Sequence, residues 1–368
     1  MKNKITVAFC TALMIFISAL SACADASPTP TTKTIKREIK IGTKVAAEVE
    51  KQYPRVLDPA QEARLAMIAS KLTPHMQRNL EYDVKIIELK EPNAFSLPGG
   101  RTYFTTGMLA FLKSEAEIAA VMAHEFVHAD RAHGIVQSAR NNRLSFLTIA
   151  GIIAATQGGG AAAMLLSSAL QTAMMNSYSI DLEKEADARG IDALYKAGYN
   201  PAAMLTMMER LRIEKLKHAY VDPGIFQTHP ETEDRVEAAL KYMKSKGLEV
   251  QRKDVVQSLK IDTVHVSGDV RLTVDGASLI SLKDDPASSV LLEKLAARLT
   301  DRLELELAPY DLQVSRVNGD DVLMIRGREV LSAADLLPSM PTLAEIRNRI
   351  NDALNKARRG NPLTDYFK

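Results

Sequence analysis

The sequence predicts an α+β protein whose larger part is mainly helical with a small sheet, and three observations support this prediction. An alanine-rich helix with a capping box at Ser114–Glu117 lies near the middle of the chain. The β-prone run Tyr103–Thr106 follows a Pro-Gly-Gly turn and predicts a short strand before that helix. After Gly247 the chain changes to β-prone runs and amphipathic helices. The length of 368 residues suits two domains.

Residues 255–368 contain an internal repeat, because Val266–Asp269 recurs as Val317–Asp320, 51 residues later. Each copy predicts a hairpin followed by a helix, and the two helices span about 286–308 and 341–358. Residues 255–368 are therefore predicted to form a small α+β domain of two ββα units. This part has no acid/base cluster, metal-ligand set or phosphate loop in its sequence, so we do not expect it to catalyse a reaction. These residues could bind a substrate or partner, and a purely structural role as a cap is equally consistent with the sequence.

The residues best suited to chemistry are His124-Glu125-Phe126-Val127-His128. Residues four apart on a helix lie about 40° apart on one face. Both imidazoles can therefore bind one Zn²⁺ ion, and Glu125 lies beside the metal, where it can take a proton from water. The alternative interpretation is two surface histidines on an alanine-rich helix.

A zinc site of this kind needs a third protein ligand, and His133 fails on geometry. It follows His128 by five residues, so on a continued helix it lies about 140° away, on the side of Met122 and Phe126. We expect Gly134 to be the C′ residue that ends the helix and His133 to be a structural, hydrogen-bonding histidine.

Acidic residues of the segment 181–187 are better candidates for the third ligand. Glu183 and Asp187 share a helical face, while Glu185 points about 200° away from each. A ligating carboxylate with a second acid one turn later suits a metal ligand and a group that orients the ligands or handles a proton. A solvated acidic helix face is the alternative.

Four motifs follow one another between about residues 35 and 247: Asn93–Leu109, His124–His128, Glu183–Asp187, and Gln227–Pro230 with Arg235 after it. Their order and content resemble the zinc metallopeptidase family of the CAAX prenyl endopeptidase, the HtpX-like membrane proteases and periplasmic outer-membrane-maintenance proteases. The chain is similar to the soluble lipoprotein members.

The resemblance implies a gluzincin-type endopeptidase with zinc as cofactor. His124, His128 and Glu183 would bind the metal and Glu125 would act as the base. Asp187 would be a proton donor or a group that supports the ligands.

The same resemblance implies that Asn93–Leu109 includes the edge strand that pairs with an extended substrate, within a metallopeptidase domain at 35–250. His229 is a further catalytic candidate. It could donate to the transition state or be a fourth ligand that keeps the site closed. A histidine before proline is also often just a turn residue.

The N-terminus predicts export and lipidation. Residues 1–22 have a positive start and an apolar run, as in a signal peptide, and Leu20–Cys23 resembles a lipobox. Acylated Cys23, followed by a polar tether to residue 34, would anchor the chain in the periplasm, and Ala24 favours the outer membrane. An ordinary signal peptide or a membrane anchor is the alternative.

Two cysteines and a formal net charge of +2 narrow the function further. Cys10 lies in the predicted signal peptide and Cys23 would carry the lipid, so we expect no disulfide. Removing Lys2 and Lys4 leaves a nearly neutral chain, which gives no electrostatic case for nucleic-acid binding. The sequence does not indicate whether the protein is a monomer or an oligomer.

The stretch 144–175 is apolar, rich in small residues and broken by three glycines. Each half is too short to cross a membrane. A helical hairpin over the active site is one interpretation, and a lid or membrane-touching element is the other.

Together these features predict a lipid-anchored zinc endopeptidase that acts on misfolded or stalled envelope proteins. The alternative is a chaperone or assembly lipoprotein whose protease site is mostly latent. Substrate identity and cleavage preference are not predicted.

Overall fold

The computed structural model describes residues 32–140, 178–217, 229 and 233–361. The predicted signal peptide, the predicted lipidation site Cys23 and the stretch 144–175 lie outside these residues. Among the helices within them, none combines the length and apolarity that a membrane span requires. The α+β class is confirmed, since helices and small sheets together make up the described chain.

The part that precedes residue 257 is mainly helical, as the sequence predicts. Its elements in chain order are α1 Thr32–Gln52, α2 Pro59–Leu72, β1 Val84–Ile87, β2 Ala94–Ser96, β3 Thr102–Thr105, α3 Thr106–Phe111, α4 Glu115–Asp130, α5 His133–Arg140, α6 Ile180–Lys196, α7 Ala203–Lys217, α8 Glu233–Ser245 and α9 Arg252–Val256.

The first sheet has the strand order β1-β3-β2, with β3 parallel to β1 and antiparallel to β2. Strand β3 matches the predicted strand at Tyr103–Thr106, and the Thr105 side chain after it accepts the Met108 N–H and caps α3. Strand β2 is an edge of this sheet and packs beside α4. One backbone edge of β2 therefore has no strand beside it among the residues that the structure describes.

Helix α4 begins where the sequence predicts and ends two residues before the predicted end. The Ser114 side chain accepts the Glu117 N–H, which is one half of the predicted capping box, whereas the Glu117 carboxylate accepts the N–H of Lys113 instead of that of Ser114. The prediction that Gly134 is the C′ residue is wrong, because α4 ends at Asp130 with Arg131 as its C-cap, and Ala132 takes the left-handed conformation with φ 54°. A new helix starts at His133. Distant contacts fix this end, since the Asp130 carboxylate accepts two backbone N–H groups of residues 77–78.

Helix α1 packs so closely on the β2–β3 turn that only glycine fits at the contact. A Cβ atom placed on Gly42 would lie 1.7 Å from the carbonyl oxygen of Pro98. On the other side of the contact, Gly99 has φ +94° and faces the backbone of Ile39. The position of the turn that follows β2 therefore depends on α1.

The C-terminal part contains the predicted repeat, but each unit has three strands. The predicted ββα units are corrected to βββα, because Asp275-Gly276 and Arg326-Gly327 form further turns with positive φ angles. The elements are β4 Ile261–Val266, β5 Asp269–Val274, β6 Ala277–Lys283, α10 Pro286–Arg302, β7 Leu312–Val317, β8 Asp320–Ile325, β9 Arg328–Ser332 and α11 Leu343–Gly360.

Buried apolar side chains form separate clusters. The largest runs from Leu65 to Val255, and another runs from Leu259 to Ala357. The domain boundary at 250–255 stays a prediction, and the change of cluster lies beside it. Arg252 bridges the two parts, since its buried guanidinium donates to Glu209 of α7 and to Glu306.

Candidate metal centre

Four buried side chains from three regions of the chain meet at one point. His124 and His128 come from α4, Glu183 from α6, and His229 lies just before α8. One potential ligand atom from each of them lies within 4.8 Å of all the others. The helical spacing of the first two and the packing of α6 on α4 create this arrangement.

The distances between these atoms fit a small tetrahedral ion. Ligands about 2.0–2.1 Å from a tetrahedral zinc ion lie about 3.3 Å from one another. His124 Nε2 lies 3.0 Å from His128 Nε2 and 3.4 Å from Oε2 of Glu183, and His128 Nε2 lies 3.4 Å from Oε1 of Glu183. His229 Nδ1 lies 3.0 Å from Glu183 and 3.3 Å from His124 Nε2. Three nitrogens and one carboxylate oxygen form a donor set that suits zinc.

For His128 and Glu183, the protonation states that burial and neighbouring charges favour also suit metal binding. Burial lowers the pKa of His128 well below its ordinary value, so its imidazole is neutral, as a metal ligand must be. Burial raises the pKa of Glu183, but the charges of His229 and Arg235 outweigh burial and hold this pKa well below its ordinary value. Glu183 is therefore a carboxylate.

Glu125 lies between the donor cluster and the edge strand. Its carboxylate oxygen Oε1 is 3.3 Å from Nε2 of His229, and the nearby Ser96 side chain of β2 acts to lower the pKa of Glu125. Burial raises the pKa of Glu125, and the charges of His229 and His124 act against that rise. A raised pKa makes a buried carboxylate a better proton acceptor than an exposed one.

Asp187 and Arg235 support His124 from behind. Asp187 Oδ1 lies 3.0 Å from Nδ1 of His124, and Arg235 donates to both oxygens of Asp187 at 2.7–2.8 Å. Burial raises the pKa of Asp187, but Arg235 and His124 reverse the effect and lower it. Burial lowers the pKa of His124, but hydrogen bonds to Asp187 and Glu183 raise it to about 10. The sequence placed Arg235 in a motif and gave it no role.

His133 lies behind His128 instead of on the apolar face of α4. The expected direction is wrong because the helix stops at Asp130, and the new helix turns the imidazole back toward the metal site. His133 Nδ1 lies 3.0 Å from Nδ1 of His128, and Glu185 faces the other side of the His133 ring. Its expected role as a buried, hydrogen-bonding histidine agrees with this position.

Tyr178 was not found from the sequence. Its ring stacks on the His128 ring with centroids 4.1 Å apart and an interplanar angle of 19°. Burial raises the pKa of the Tyr178 hydroxyl, as do the nearby charges of Glu125 and Glu183. No spacing rule predicts this contact, because Tyr178 precedes α6 and belongs to none of the four motifs.

Two histidines four apart on a helix, an acid from a second helix and a carboxylate beside them define the metallopeptidase class of site. The chain belongs to the family described as Peptidase family M48, whose profile matches residues 59–243, half of the chain. The family resemblance predicted from the sequence is thereby confirmed.

Curated relatives cover the same region. The chain is 27% identical over 212 residues to the beta-barrel assembly-enhancing protease of Escherichia coli (strain K12), covering 56% of this chain and 43% of the relative. It is 30% identical over 218 residues to the putative beta-barrel assembly-enhancing protease of Vibrio cholerae, at 56% and 44% coverage. The mitochondrial metalloendopeptidase OMA1 of Schizosaccharomyces pombe is 28% identical over 158 residues, at 43% and 45% coverage. The chain spans less than half of these relatives' length.

Proposed function

We propose that this protein is a zinc-dependent endopeptidase of the envelope. The observation that carries the proposal is the convergence of His124, His128 and Glu183 beside the buried carboxylate of Glu125. Membership in Peptidase family M48 supports a metalloprotease, and the donor set supports zinc as its metal.

The side chains divide the hydrolytic work among them. Zinc, when bound by His124, His128 and Glu183, would supply Lewis acidity toward the substrate carbonyl and acidify water. Glu125 accepts a proton from the attacking water and delivers it to the leaving amine. Asp187, paired with Arg235, holds Nδ1 of His124 and so orients its Nε2. The ion pair makes Asp187 a positioning group instead of a proton donor.

The edge strand supplies a place for the substrate. Ala94–Ser96 has a free edge in its sheet and ends beside Glu125. An extended peptide that pairs with β2 would pass its backbone along the metal site. Such pairing requires a substrate segment without its own partner strand, and this requirement favours unfolded segments over compact proteins.

The position of His229 favours a second, latent state of the same site. Nδ1 faces the metal ligands while Nε2 lies 3.3 Å from Glu125, so the ring occupies the space where an attacking water must lie. Of the two roles open from the sequence, this geometry supports a fourth ligand that closes the site. It also supports the alternative function, a chaperone or assembly lipoprotein that is rarely active.

His229→Ala separates these roles. If His229 closes the site, the variant should cleave an unfolded substrate faster than the wild type, because water gains access to Glu125. A loss of turnover on the order of 10² or more would instead assign His229 to transition-state stabilisation. Cleavage of casein with matched zinc content measures the difference.

The envelope setting rests on the sequence and on the relatives. The predicted signal peptide and the predicted lipidation of Cys23 support attachment to the outer membrane from the periplasmic side. The name of the bacterial relatives, beta-barrel assembly-enhancing protease, supports misassembled envelope proteins as substrates. Residues 255–368 would act as a binding module or as a structural cap.

Glu125→Gln tests the proposed reaction. The three metal ligands remain, so zinc content should stay near one per chain, while casein cleavage should fall on the order of 10²–10⁴-fold with the loss of the base. Glu237→Gln, on the exposed face of α8, is the matched control and should cleave normally. Chelator should abolish the wild-type activity. Substantial hydrolysis by zinc-loaded Glu125→Gln would refute the assigned role.

A further inference from the structure

The two histidines of α4 are supported by different groups. His124 has a carboxylate against its Nδ1, whereas the Nδ1 of His128 faces a second imidazole, that of His133. A metal-binding histidine needs an acceptor for the N–H of its other ring nitrogen, because that hydrogen bond fixes the tautomer and the ring orientation. His133 occupies this position for His128.

We propose that His133 and Glu185 form a relay that positions His128 for metal binding. The inference rests on the proposed zinc site and assigns roles to two residues outside the ligand set. His133 is a positioning residue, since it would act on the metal only through the ring of His128.

The hydrogen atoms of the relay balance in one arrangement. His128 binds metal through Nε2, so its proton is on Nδ1 and is donated to Nδ1 of His133, 3.0 Å away. His133 must then carry its own proton on Nε2. That nitrogen is buried, has no hydrogen-bond partner among the described residues, and lies 3.5 Å from Oε2 of Glu185. Each ring thus fixes the tautomer of the next.

The two carboxylate oxygens of Glu185 face different partners. Oε1 accepts hydrogen bonds from Nε of Arg131 and Nε of Arg189, both at 2.8 Å, and Oε2 is left toward His133. The two arginines therefore fix the position of the Glu185 carboxylate at the outer end of the relay.

One helix supplies both supporting acids. Glu185 serves His128 through His133, and Asp187 serves His124 directly, while Glu183 between the two histidines binds the metal. The acids at 185 and 187 point to different sides of α6, and the two histidines present their Nδ1 atoms to those different sides. The two acids that support the ligand histidines, Glu185 and Asp187, thus lie within four residues after the third ligand, Glu183, in the same helix.

The test measures zinc affinity of the purified full chain by competition with a chromophoric chelator. His133→Phe fills the same space without an acceptor and should weaken zinc binding about 10–100-fold. His133→Asn returns an acceptor oxygen near the position of Nδ1 and should recover most of the affinity. Glu185→Gln keeps a neutral acceptor and should give an intermediate loss. His265→Phe, on an exposed histidine of β4, is the matched control.

A second measurement excludes a merely structural effect. The visible absorption bands of the Co²⁺-substituted protein report the ligand geometry, so they should shift in His133→Phe and return in His133→Asn. Unfolding by urea shows whether each variant is folded. If His133→Phe does not fold, Glu185→Gln and His133→Asn carry the same comparison.

The outcomes distinguish the relay from the zinc site itself. A wild type that binds no zinc overturns both proposals. The relay alone is overturned if the wild type binds zinc and the folded variants His133→Phe and Glu185→Gln bind it with the affinity of the wild type and show unchanged Co²⁺ bands. Reduced affinity with recovery in His133→Asn supports it.

Discussion

Replacing Gly42 by alanine should destabilise the protein, although alanine is the better helix former. In an open helix the change would stabilise by up to about 1 kcal/mol. Here the new Cβ atom would lie 1.7 Å from the Pro98 carbonyl oxygen and 2.9 Å from its carbon, whereas ordinary contacts begin at 3.4 Å. Both sides of the contact are backbone, so no side chain can rotate away and the helix or the turn must move.

Overpacking of this kind costs about 1–3 kcal/mol, and because no side chain can move aside, we expect Gly42→Ala to cost an amount near the upper end of this range. The expected net loss is therefore about 1–2 kcal/mol in the free energy of unfolding, measured by urea denaturation. The displaced turn follows β2, so kcat/KM for an unfolded substrate should fall as well. Gly360→Ala is the control, because a Cβ atom there meets nothing within 4 Å. A Gly42→Ala protein as stable as the wild type, with unchanged kcat/KM, would refute the reasoning.

Two further predictions concern the metal and the anchor. Glu183→Ala should abolish stoichiometric zinc, whereas Glu185→Ala should keep zinc with an affinity lowered about 10–100-fold; equal loss in both, by metal analysis, would mean that the ligand is misassigned. Cys23→Ala behind an ordinary signal peptide should release an active enzyme from membranes, because each buried methylene of the lost acyl chains contributes about 0.8 kcal/mol of membrane affinity; a chain that still pellets with outer membranes after a high-salt wash would contradict lipid anchoring.

The sequence predicted those site residues whose positions follow from local periodicity. His124 and His128 share a face at a spacing of four, and Glu183 and Asp187 do the same, so helix geometry alone brings each pair to one side. Packing of α6 against α4 then joins the pairs. The family motifs supplied this long-range information, and periodicity could not have done so.

The residues that were misplaced or missed depend on contacts between distant segments. The end of α4 is set by Asp130, which binds the backbone at Gln77 and Arg78, more than fifty residues earlier. His133 turns toward the metal for that reason. Tyr178 reaches His128 from the other end of a long insertion. Neither contact leaves a pattern within a window of one helix.

The third strand in each C-terminal unit has a local signal in the sequence. Asp275-Gly276 and Arg326-Gly327 stand at equivalent positions of the repeat, and Asp-Gly is a strong hairpin sequence. The hydrophobic pattern after each turn continues the sheet. The repeat itself was visible because β4–β6 and β7–β9 keep the same offset along the chain.

The shortness of the edge strand has a consequence for timing. Strand β2 has three residues, so it is about 10 Å long and offers few backbone groups for pairing. Each hydrogen bond contributes about 0.5–1.5 kcal/mol net, so a bound peptide would leave quickly. Under the proposed function, a client that completes its folding soon escapes, and one that stays unfolded returns to the strand again and again. The short residence time on β2 would then make cleavage depend on how fast a client folds, because only a client that stays unfolded through many binding events would be cleaved.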